Sequence, residues 1–361
     1  MVITRIREEI LSSPRLSDNR GRFGGVVVVG GANIDLRGRP TGKVLERHTS
    51  NPGKINVGSG GVGRNIAHNL ALLNVPVTLL SAVGDDGEGI RILEETGKAG
   101  VMMEQMIISG EHPTGIYLAI LDEKGEMEVA VSDMQILEEI TVEYLRSKAY
   151  LIKESKIVVM DTNIPEQSIE YVVDLCNKVK VPILVEPVSV EKAKKLRKVL
   201  DGSRKWNIDY ITPSKDELES ILEAEMGGYQ DMGLVRAVEE LKRRGVKKVI
   251  ITLGKRGIYV SYGGAGGLSE GGQDEPSKFI APYKSKVVDV TGAGDALVAG
   301  LVYGIYKGYP LKVAAKFGLR AAALTISTKE AVRRDLREGL LKSRIEEEKE
   351  EGEAGKGGRL L

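Results

Sequence analysis

Short apolar runs alternate with amphipathic stretches along most of the chain. Helical periodicity predicts helices near 64–74, 166–179, 191–200, 214–224 and 232–244. The runs between and around them have the length and composition of buried strands: Val26–Val29, Val77–Ala82, Ile157–Met160, Ile183–Val185, Tyr210–Ile211 and Val249–Thr252. Such alternation is typical of a mainly parallel sheet with helices on both faces. The pattern therefore predicts a three-layer α/β/α fold.

Two segments depart from this alternation. Strand-like runs at Gly115–Leu121 and Met127–Val131 flank a polar stretch at 122–126, which predicts a β-hairpin. Ile55–Val57 has the composition of a further strand. We therefore expect residues from about 36–57 and 113–134 to form a small β-sheet that projects from the main domain as a lid.

Composition and the chain ends limit what this domain does. Residues 1–22 predict a short polar arm before a domain at 23–343, and residues 344–361 are charged and glycine-rich, which is typical of disorder. The net charge of +1 attracts neither nucleic acid nor anionic membranes. The single cysteine, Cys176, excludes an intramolecular disulfide. Because we find neither an apolar run of about 18 residues nor the apolar core of a leader, we expect a cytoplasmic protein.

One stretch joins a strand-like run, a small-residue turn and two acids. Val287 and Val288 lead to Asp289, and Gly292 and Gly294 then leave the backbone unshielded. Backbone N–H groups that begin the following helix lack intrahelical partners and favour an anion. Asp295 could there take a proton from a hydroxyl that attacks a phosphoryl group. Taken alone, the pattern also fits an Asp that only offsets the helix dipole.

Two glycine-rich turns lie near the start of the chain. The first strand ends in Gly30 and Gly31, where open α/β sheets bind ligands. Asp35 could there accept hydrogen bonds from vicinal hydroxyls, or it could cap the next turn. Residues 58–63 contain G-x-G-x-x-G, but about thirty residues after the first strand, which argues against the alternative of a dinucleotide-binding enzyme.

Two further turns follow predicted strands in the second half. Residues 252–257 carry two glycines that would let nucleotide phosphates approach, or they form a simple β-hairpin turn. Residues 212–217 begin a helix, in which Ser214 and Glu217 have the spacing of a capping box.

The stretch from Asp289 to Asp295 resembles the signature of the ribokinase-like (phosphofructokinase-B) sugar and nucleoside kinases. Gly60 and Gly61 followed by Asn65 resemble the first signature of that family. The resemblance implies a ribokinase-like fold, ATP as phosphoryl donor and a sugar or nucleoside as acceptor. It assigns Asp295 as the catalytic base and Gly292, Ala293 and Gly294 as the anion hole. It also implies substrate roles for Asn33, Asp35, Gly60, Gly61 and Asn65, and nucleotide roles for Thr252, Gly254 and Gly257.

The resemblance further implies metals and a second subunit. Glu217 would hold magnesium through water, although Ser214 stands where the family pattern has Asn. Asp289 and the backbone of Thr291, with Ser327 on a neighbouring loop, match positions at which many members bind potassium, although Arg333 and Arg334 stand where members often have Asn-Pro. Because the lid of this family often pairs between subunits, we expect a homodimer.

Several strings resemble those of the pseudouridine kinases, a branch of the same family, across about residues 25–325: 50–55, 60–67, 79–84 and 186–189. They imply phosphorylation of the 5′-hydroxyl of pseudouridine. Asp133, just after the hairpin, would read the base edge or form an Asx-turn. Two alternatives stay open: a kinase of another nucleoside or free sugar, and a non-catalytic sugar or nucleoside sensor with this fold.

Overall fold

The computed structural model describes residues 24–42, 45–123, 125–224, 231–262 and 277–343. The predicted arm and the predicted disordered tail lie outside these residues. The strands are β1 (Val26–Val29), β2 (Asn33–Pro40), β3 (Gly53–Gly60), β4 (Val77–Leu80), β5 (Ala82–Gly84), β6 (Ile107–Ser109), β7 (Ile116–Leu121), β8 (Met127–Asp133), β9 (Ile157–Asp161), β10 (Ile183–Glu186), β11 (Ile208–Ile211), β12 (Val246–Thr252), β13 (Ile258–Ser261) and β14 (Lys278–Ile280).

The helices cover both faces of the main sheet. They are α1 (Val62–Leu72), α2 (Gly87–Lys98), α3 (Val142–Ser147), α4 (Ala149–Glu154), α5 (Glu166–Val179), α6 (Val190–Ala193), α7 (Leu196–Val199), α8 (Lys215–Leu222), α9 (Asp231–Arg243), α10 (Ala293–Tyr306) and α11 (Leu311–Thr325). None of the helices in the described ranges is long and apolar enough to cross a membrane.

The main sheet has eight strands in the order β14-β13-β12-β11-β10-β9-β1-β4. The strands from β12 to β4 are parallel, and β13 and β14 join antiparallel at one edge. Alternate residues of β1 enter opposite cores: Val27 and Val29 lie in one hydrophobic cluster, and Val26 and Val28 in the other. A continuous apolar run is what a strand buried on both faces requires. The predicted three-layer α/β/α fold is confirmed.

Local predictions differ from the structure in several places; helices α3, α4 and α11, for example, have no predicted counterpart. The predicted strand 77–82 divides, because β4 joins the main sheet whereas β5 pairs with β6 outside it. The predicted helix 191–200 divides into the single turns α6 and α7. Helix α2 has no counterpart in the prediction, since three glycines lower its intrinsic helix propensity. Its start is stabilised by Asp86, whose carboxylate accepts a 2.7 Å hydrogen bond from the N–H of Gly89.

The lid is a four-stranded sheet in the order β3-β2-β7-β8. It includes the predicted hairpin as β7 and β8, but it begins at Asn33, a little before the predicted boundary. Asp35 pairs with Gly58 on one side and Tyr117 on the other. Since side chains alternate along a strand, Asp35 and Arg37 share one lid face, which we call the inner face. Leu36 and its cross-strand partners Val57 and Leu118 share the opposite face, which we call the outer face.

Candidate active site

The site lies where the parallel strands of the main sheet end. Carboxyl ends of parallel strands meet at one edge, so the turns after β1, β9, β10, β11 and β12 gather there. At this edge Gly30 lies directly against the side chain of Asp161, and a Cβ added to Gly30 would come within 2.3 Å of it. The edge therefore collects side chains that are far apart in the sequence.

Asp161, at the end of β9, fixes two of the glycine turns. Its side chain is fully buried, and one carboxylate oxygen accepts 2.8 Å hydrogen bonds from the N–H groups of both Gly31 and Gly63. The other oxygen accepts from the N–H of Asn163 at 2.8 Å. Burial raises the pKa of Asp161, and its hydrogen bonds to backbone N–H groups oppose that rise. This acid holds the turn after β1 against the start of α1.

Asp295 lies in the first turn of α10, at the same edge. The side-chain amide of Asn65 donates a 2.8 Å hydrogen bond to its carboxylate. The amide oxygen of Asn65 in turn accepts from Arg64 at 3.1 Å. Arg64 is buried and also donates to Thr96 at 2.9 Å and to the carbonyl of Ser59 at 3.0 Å. These bonds fix the orientation of Asn65, so its N–H₂ group points at Asp295.

The electrostatics around Asp295 suit a proton acceptor. Burial raises the pKa of Asp295 to about 7. The hydrogen bond from Asn65 and the charge of Arg64 oppose this rise, and the charges of Asp161 and Asp35 reinforce it. A carboxyl group with a pKa near neutrality binds and releases a proton readily at physiological pH, which is the property of a general base.

The turn before Asp295 exposes backbone donors. Gly292 caps α10 with φ of 74°, and an added Cβ would lie 1.9 Å from the carbonyl oxygen of Ala331, so this position requires glycine. Gly294 is exposed and has open space where a Cβ would be. Of the three predicted anion-hole residues, Ala293 already donates its N–H to Val290 at 3.2 Å. The N–H groups of Gly292 and Gly294 are therefore the better anion donors.

The predicted substrate residues of the first turn lie together. The amide of Asn33 donates to Asp35 at 2.7 Å, and burial raises the pKa of Asp35. Gly60 lies against this acid, because an added Cβ would lie 2.4 Å from the Asp35 carboxylate. Gly61 has φ of 91° and leaves room for the carbonyl of Gly31. Its neighbour Gly60 is the last residue of strand β3, so the G-x-G-x-x-G pattern straddles a strand end and is not a strand-to-helix loop.

The strand register places the side chain of Asp133 on the opposite face of the lid from Asn33 and Asp35. Tyr117 pairs with Asp35 on one side and with Ser132 on the other, so Ser132 lies on the inner face of the lid. Alternation then places Asp133 on the face opposite Asp35. The hypothesis that Asp133 reads the base edge is not supported by this register, because Ser132 is its neighbour on the substrate side.

The end of β10 and the first turn of α8 contribute two acids. Ser214 and Glu217 form the predicted capping box: the Glu217 carboxylate accepts from the N–H of Ser214 at 2.8 Å, and Ser214 Oγ accepts from the N–H of Glu217 at 3.3 Å. Burial raises the pKa of Glu217. Glu186 is hydrogen-bonded to Thr212, and its pKa is raised well above the usual value by burial and by the nearby charges of Glu217 and Asp295. Since the charge of Glu217 disfavours ionisation of Glu186, this pair of acids fits a site for a cation.

The predicted nucleotide turn is part of a hairpin. Residues 254–256 form a short 3₁₀ turn between β12 and the antiparallel β13, so the β-hairpin interpretation is correct for its structure. Gly257 has φ of 87°, and an added Cβ would lie 2.1 Å from the carbonyl of Ile280. Gly254 faces open space. Thr252 donates its N–H to Pro213 at 2.9 Å, which places this turn beside the capping box of α8.

Two of the predicted potassium ligands, the side chains of Asp289 and Ser327, contact arginines. Arg37 donates to Asp289 and to Thr291 Oγ1, at 3.0 Å in each case. Arg333 donates to Ser327 Oγ at 3.1 Å. A guanidinium group on these oxygens repels a cation and occupies the lone pairs that would bind it. The residues in this arrangement do not fit a potassium ion. Across the described residues, no group of three or more His, Cys, Asp and Glu is arranged to hold a metal directly.

Arg64, Arg37 and Asp161 are absent from the predicted site. Arg64 stands next to Asn65 in the first signature, and this adjacency was the one signal that could have indicated it. Arg37 and Asp161 carry no motif in the sequence. Only the structure indicates their roles, because Arg37 contacts Asp289, which is 252 positions away, and Asp161 contacts Gly31, which is 130 positions away.

An acid with a pKa near 7 beside exposed N–H groups at a helix start is the arrangement of a phosphotransferase that acts on an alcohol. The substrate acid Asp35 lies close enough to Asp295 for its charge to raise the Asp295 pKa. The chain belongs to the pfkB family of carbohydrate kinases, whose model matches residues 24–336.

Relatives in this family act on sugars and nucleosides. Pseudouridine kinase of Escherichia coli (strain K12) is 37% identical over 303 residues, 84% of this chain and 90% of that protein. Guanosine-inosine kinase of Exiguobacterium acetylicum is 26% identical over 309 residues, 84% of this chain and 95% of that protein. The solved structure of Arabidopsis thaliana ribokinase complexed with ribose and ATP has a TM-score of 0.71 at 24% identity, over 88% of this chain and 99% of that chain. The expected ribokinase-like fold is confirmed, and the chain is a sugar or nucleoside kinase.

Proposed function

We propose that the protein phosphorylates the 5′-hydroxyl of pseudouridine with ATP, and that Asp295 is the general base. The observation that carries this proposal is the position of Asp295 at the start of α10, held by Asn65 and with a pKa near 7. The pseudouridine kinase of Escherichia coli supports the choice of substrate. We place the reaction in the cytoplasm, because it consumes ATP.

The reaction is an in-line phosphoryl transfer. A bond forms between the 5′-oxygen and the γ-phosphorus, and the bond from that phosphorus to the β–γ bridging oxygen breaks, so ADP leaves. Asp295 takes the proton of the hydroxyl. The N–H groups of Gly292 and Gly294 stabilise the charge on the transferring group. Asn33 and Asp35, with Gly60 and Gly61 beneath them, would hold the ribosyl hydroxyls.

The second half of the edge would bind ATP and magnesium. Thr252, Gly254 and Gly257 would lie along the nucleotide. Glu217 would hold magnesium through water, with Glu186 nearby. Burial and, after it, the charges of Glu217 and Asp295 raise the pKa of Glu186, and a cation would offset the effect of those charges. When bound, magnesium neutralises charge on the phosphates. The inner face of the lid would exclude water, which otherwise competes with the hydroxyl as acceptor.

A substrate panel tests the proposal. ADP release is measured with pseudouridine, uridine, adenosine, ribose and fructose, and ³¹P NMR identifies the ester in the product. We expect pseudouridine to give the highest kcat/KM by about tenfold or more. A higher kcat/KM for another acceptor would change the substrate assignment but leave the assignment as a kinase unchanged. Saturable binding of pseudouridine without ADP release from any acceptor would favour the sensor alternative.

We also propose that two copies pair through the outer face of the lid. Cross-strand partners build apolar rows across all four strands: Val57, Leu36, Leu118 and Val131 form one row, and Ile55, Gly38, Ile120 and Val129 form the next. Val131 and Ile55 are 63% and 71% exposed, so this is a contiguous apolar patch in a single copy. A second, identical lid presents the same rows and covers them by sheet-on-sheet packing.

Light scattering with size-exclusion chromatography tests this pairing. We expect a dimer for the parent and a monomer for Val131→Lys, because the new charge would be buried at the interface. Ser132→Lys is the matched control, since it adds a lysine to the inner face of the same strand and should leave the dimer intact. A monomeric parent would contradict the proposal.

A further inference from the structure

A side chain of the lid reaches the turn that begins α10. Arg37, on the inner face of strand β2, donates from one guanidinium nitrogen to both Asp289 and Thr291 Oγ1 at 3.0 Å. Its other terminal nitrogen lies 4.0 Å from Asp35. The arginine is 19% exposed, and the side chain of Asp289 is 30% exposed. One side chain therefore joins the substrate acid to the loop that positions the anion hole.

The side-chain oxygen atoms of Asp289 and Thr291 already have partners. One oxygen of Asp289 accepts from Arg37, and the other accepts from the N–H of Thr291 at 2.9 Å. The hydroxyl of Thr291 accepts from Arg37 as well. An ionised carboxylate bound by a guanidinium group is a neutral pair that retains little attraction for a further cation.

A second guanidinium group lies on the adjoining segment. The N–H groups of Val288 and Asp289 donate to the carbonyl of Ile326 at 2.8 and 3.3 Å, so the loop packs against the segment that carries Ser327. Arg333 donates to Ser327 Oγ at 3.1 Å and to the carbonyl of Leu324 at 3.2 Å. It is held there by a bidentate pair with Asp335, at 2.6 and 3.0 Å. A guanidinium group thus lies on each of the two side chains of the predicted cation site, Asp289 and Ser327.

We propose that Arg37, with Arg333 beside it, supplies the positive charge that potassium supplies at this loop in many members of the family. The kinase then needs no monovalent cation for activity. Arg37 acts through Asp289 and Thr291 and is a positioning residue for the anion hole. The proposal rests on the kinase function, and it predicts a property of the free protein that does not depend on which nucleoside or sugar is phosphorylated.

The first arm of the test compares activity with and without potassium. ADP release is measured at constant ionic strength in choline chloride and in potassium chloride for the parent, Arg37→Gln and Arg39→Gln. The last variant is a matched control, because Arg39 lies on the same lid face and contacts only the carbonyl of Glu123 among its described neighbours. We expect the parent and the control to change by less than about twofold between the salts. We expect Arg37→Gln to lose about tenfold or more in choline and to recover most of this loss in potassium.

The second arm needs no turnover. Thermal melting of the free proteins is followed in the same two salts. We expect potassium to raise the melting temperature of Arg37→Gln above its value in choline, and to leave the parent and the control unchanged, because the vacated Asp289 then binds the ion. A parent that requires potassium overturns the proposal, and so does an Arg37→Gln variant that loses activity without potassium rescue. If no acceptor supports ADP release, the proposed function fails, and the melting arm still decides on the cation.

Discussion

Asn65 and Asp295 are 230 positions apart, yet their side chains share a hydrogen bond of 2.8 Å. The bond couples the first helix of the domain to α10, and the amide orientation that it needs is fixed by Arg64. Because an amide can turn over and present its oxygen, the donor from Arg64 decides which end of Asn65 meets Asp295. Two consecutive hydrogen bonds, from Arg64 to Asn65 and from Asn65 to Asp295, thus hold the base in place.

Removal of the base should separate turnover from stability. Asp295→Asn keeps the shape of the side chain and can still accept from Asn65, so ATP and nucleoside binding should change little. Turnover should fall by about a hundredfold or more, because no group takes the hydroxyl proton. Calorimetric binding and steady-state kinetics measure the two effects. Asp201→Asn, in the loop before β11 at the opposite edge of the sheet, is the control; turnover of Asp295→Asn within a few-fold of the parent would remove Asp295 from the base role.

Asp295→Asn should also remove a loss of stability that the parent undergoes as the pH rises. The pKa of Asp295 is raised in the folded protein from 3.8 to about 7, so protonation favours the folded state. The parent should lose this contribution as the pH rises from about 4 to about 7, and the Asn variant should not. Melting temperatures at about pH 5 and pH 8 should therefore show a larger advantage of the variant at the higher pH. An equal difference at both pH values would contradict the raised pKa.

Activity should follow the ionisation of Asp295 in the free enzyme. Since the base must be deprotonated, kcat/KM should rise with pH to a plateau and have its midpoint near the Asp295 pKa of about 7. Below that midpoint it should fall about tenfold per pH unit. The profile is measured with substrate far below KM; a flat profile from about pH 5 to 8 would exclude a base with this pKa.

Arg64 should act on both the geometry and the pKa of the base. Arg64→Met removes the donor that orients Asn65 and the positive charge that lowers the Asp295 pKa. Turnover should fall by about tenfold or more, and the kcat/KM profile should move to higher pH. Arg64→Lys keeps the charge without the planar fork, so it should lose turnover and retain the midpoint. A loss of stability alone would leave the midpoint of the kcat/KM profile unchanged in Arg64→Met. A shifted midpoint therefore separates the positioning role of Arg64 from a purely structural one. Arg91→Lys, on the surface of α2, serves as the control.

The two glycines of the anion hole should respond differently to alanine. Gly292→Ala places a Cβ at φ of 74° and 1.9 Å from the Ala331 carbonyl, so it should cost about 2 kcal/mol or more of stability. Gly294→Ala meets no atom within 4 Å, so it should fold normally. Its methyl group would enter the space that the transferring phosphoryl group needs, and turnover should fall by about tenfold or more. Normal activity of Gly294→Ala would place the phosphate elsewhere.

The order of strands and helices could be predicted because the burial of each element determines the pattern of apolar residues in its own sequence. The continuous apolar run of β1 reflects burial of every residue in that strand. The helical period of α5 reflects burial of one face along the whole helix. The divided strand 77–82 could not be recognised, since both β4 and β5 are fully buried and differ only in the partner they pair with.

The site could be predicted where it follows a motif and not where it depends on register. The turn around Gly292 and the base Asp295 stand in one short string, so their proximity follows from the sequence. The contact from Arg37 to Asp289 depends on the tilt of the lid over the sheet, which no local pattern records. The base-edge hypothesis, one of two alternatives for Asp133, requires that side chain on the substrate side, and only the pairing of β7 with β8 shows that Ser132 lies there.

The pleat of β2 has a practical consequence for anyone who redesigns this enzyme. Asp35 and Arg37 point inward and Leu36 points outward because they alternate along a single extended strand. Inserting one amino acid ahead of them would exchange the two faces, so that Leu36 would point into the active site and both charged groups would point to the outer face of the lid. Lids grafted from other enzymes should therefore be lengthened or shortened only by even numbers of residues.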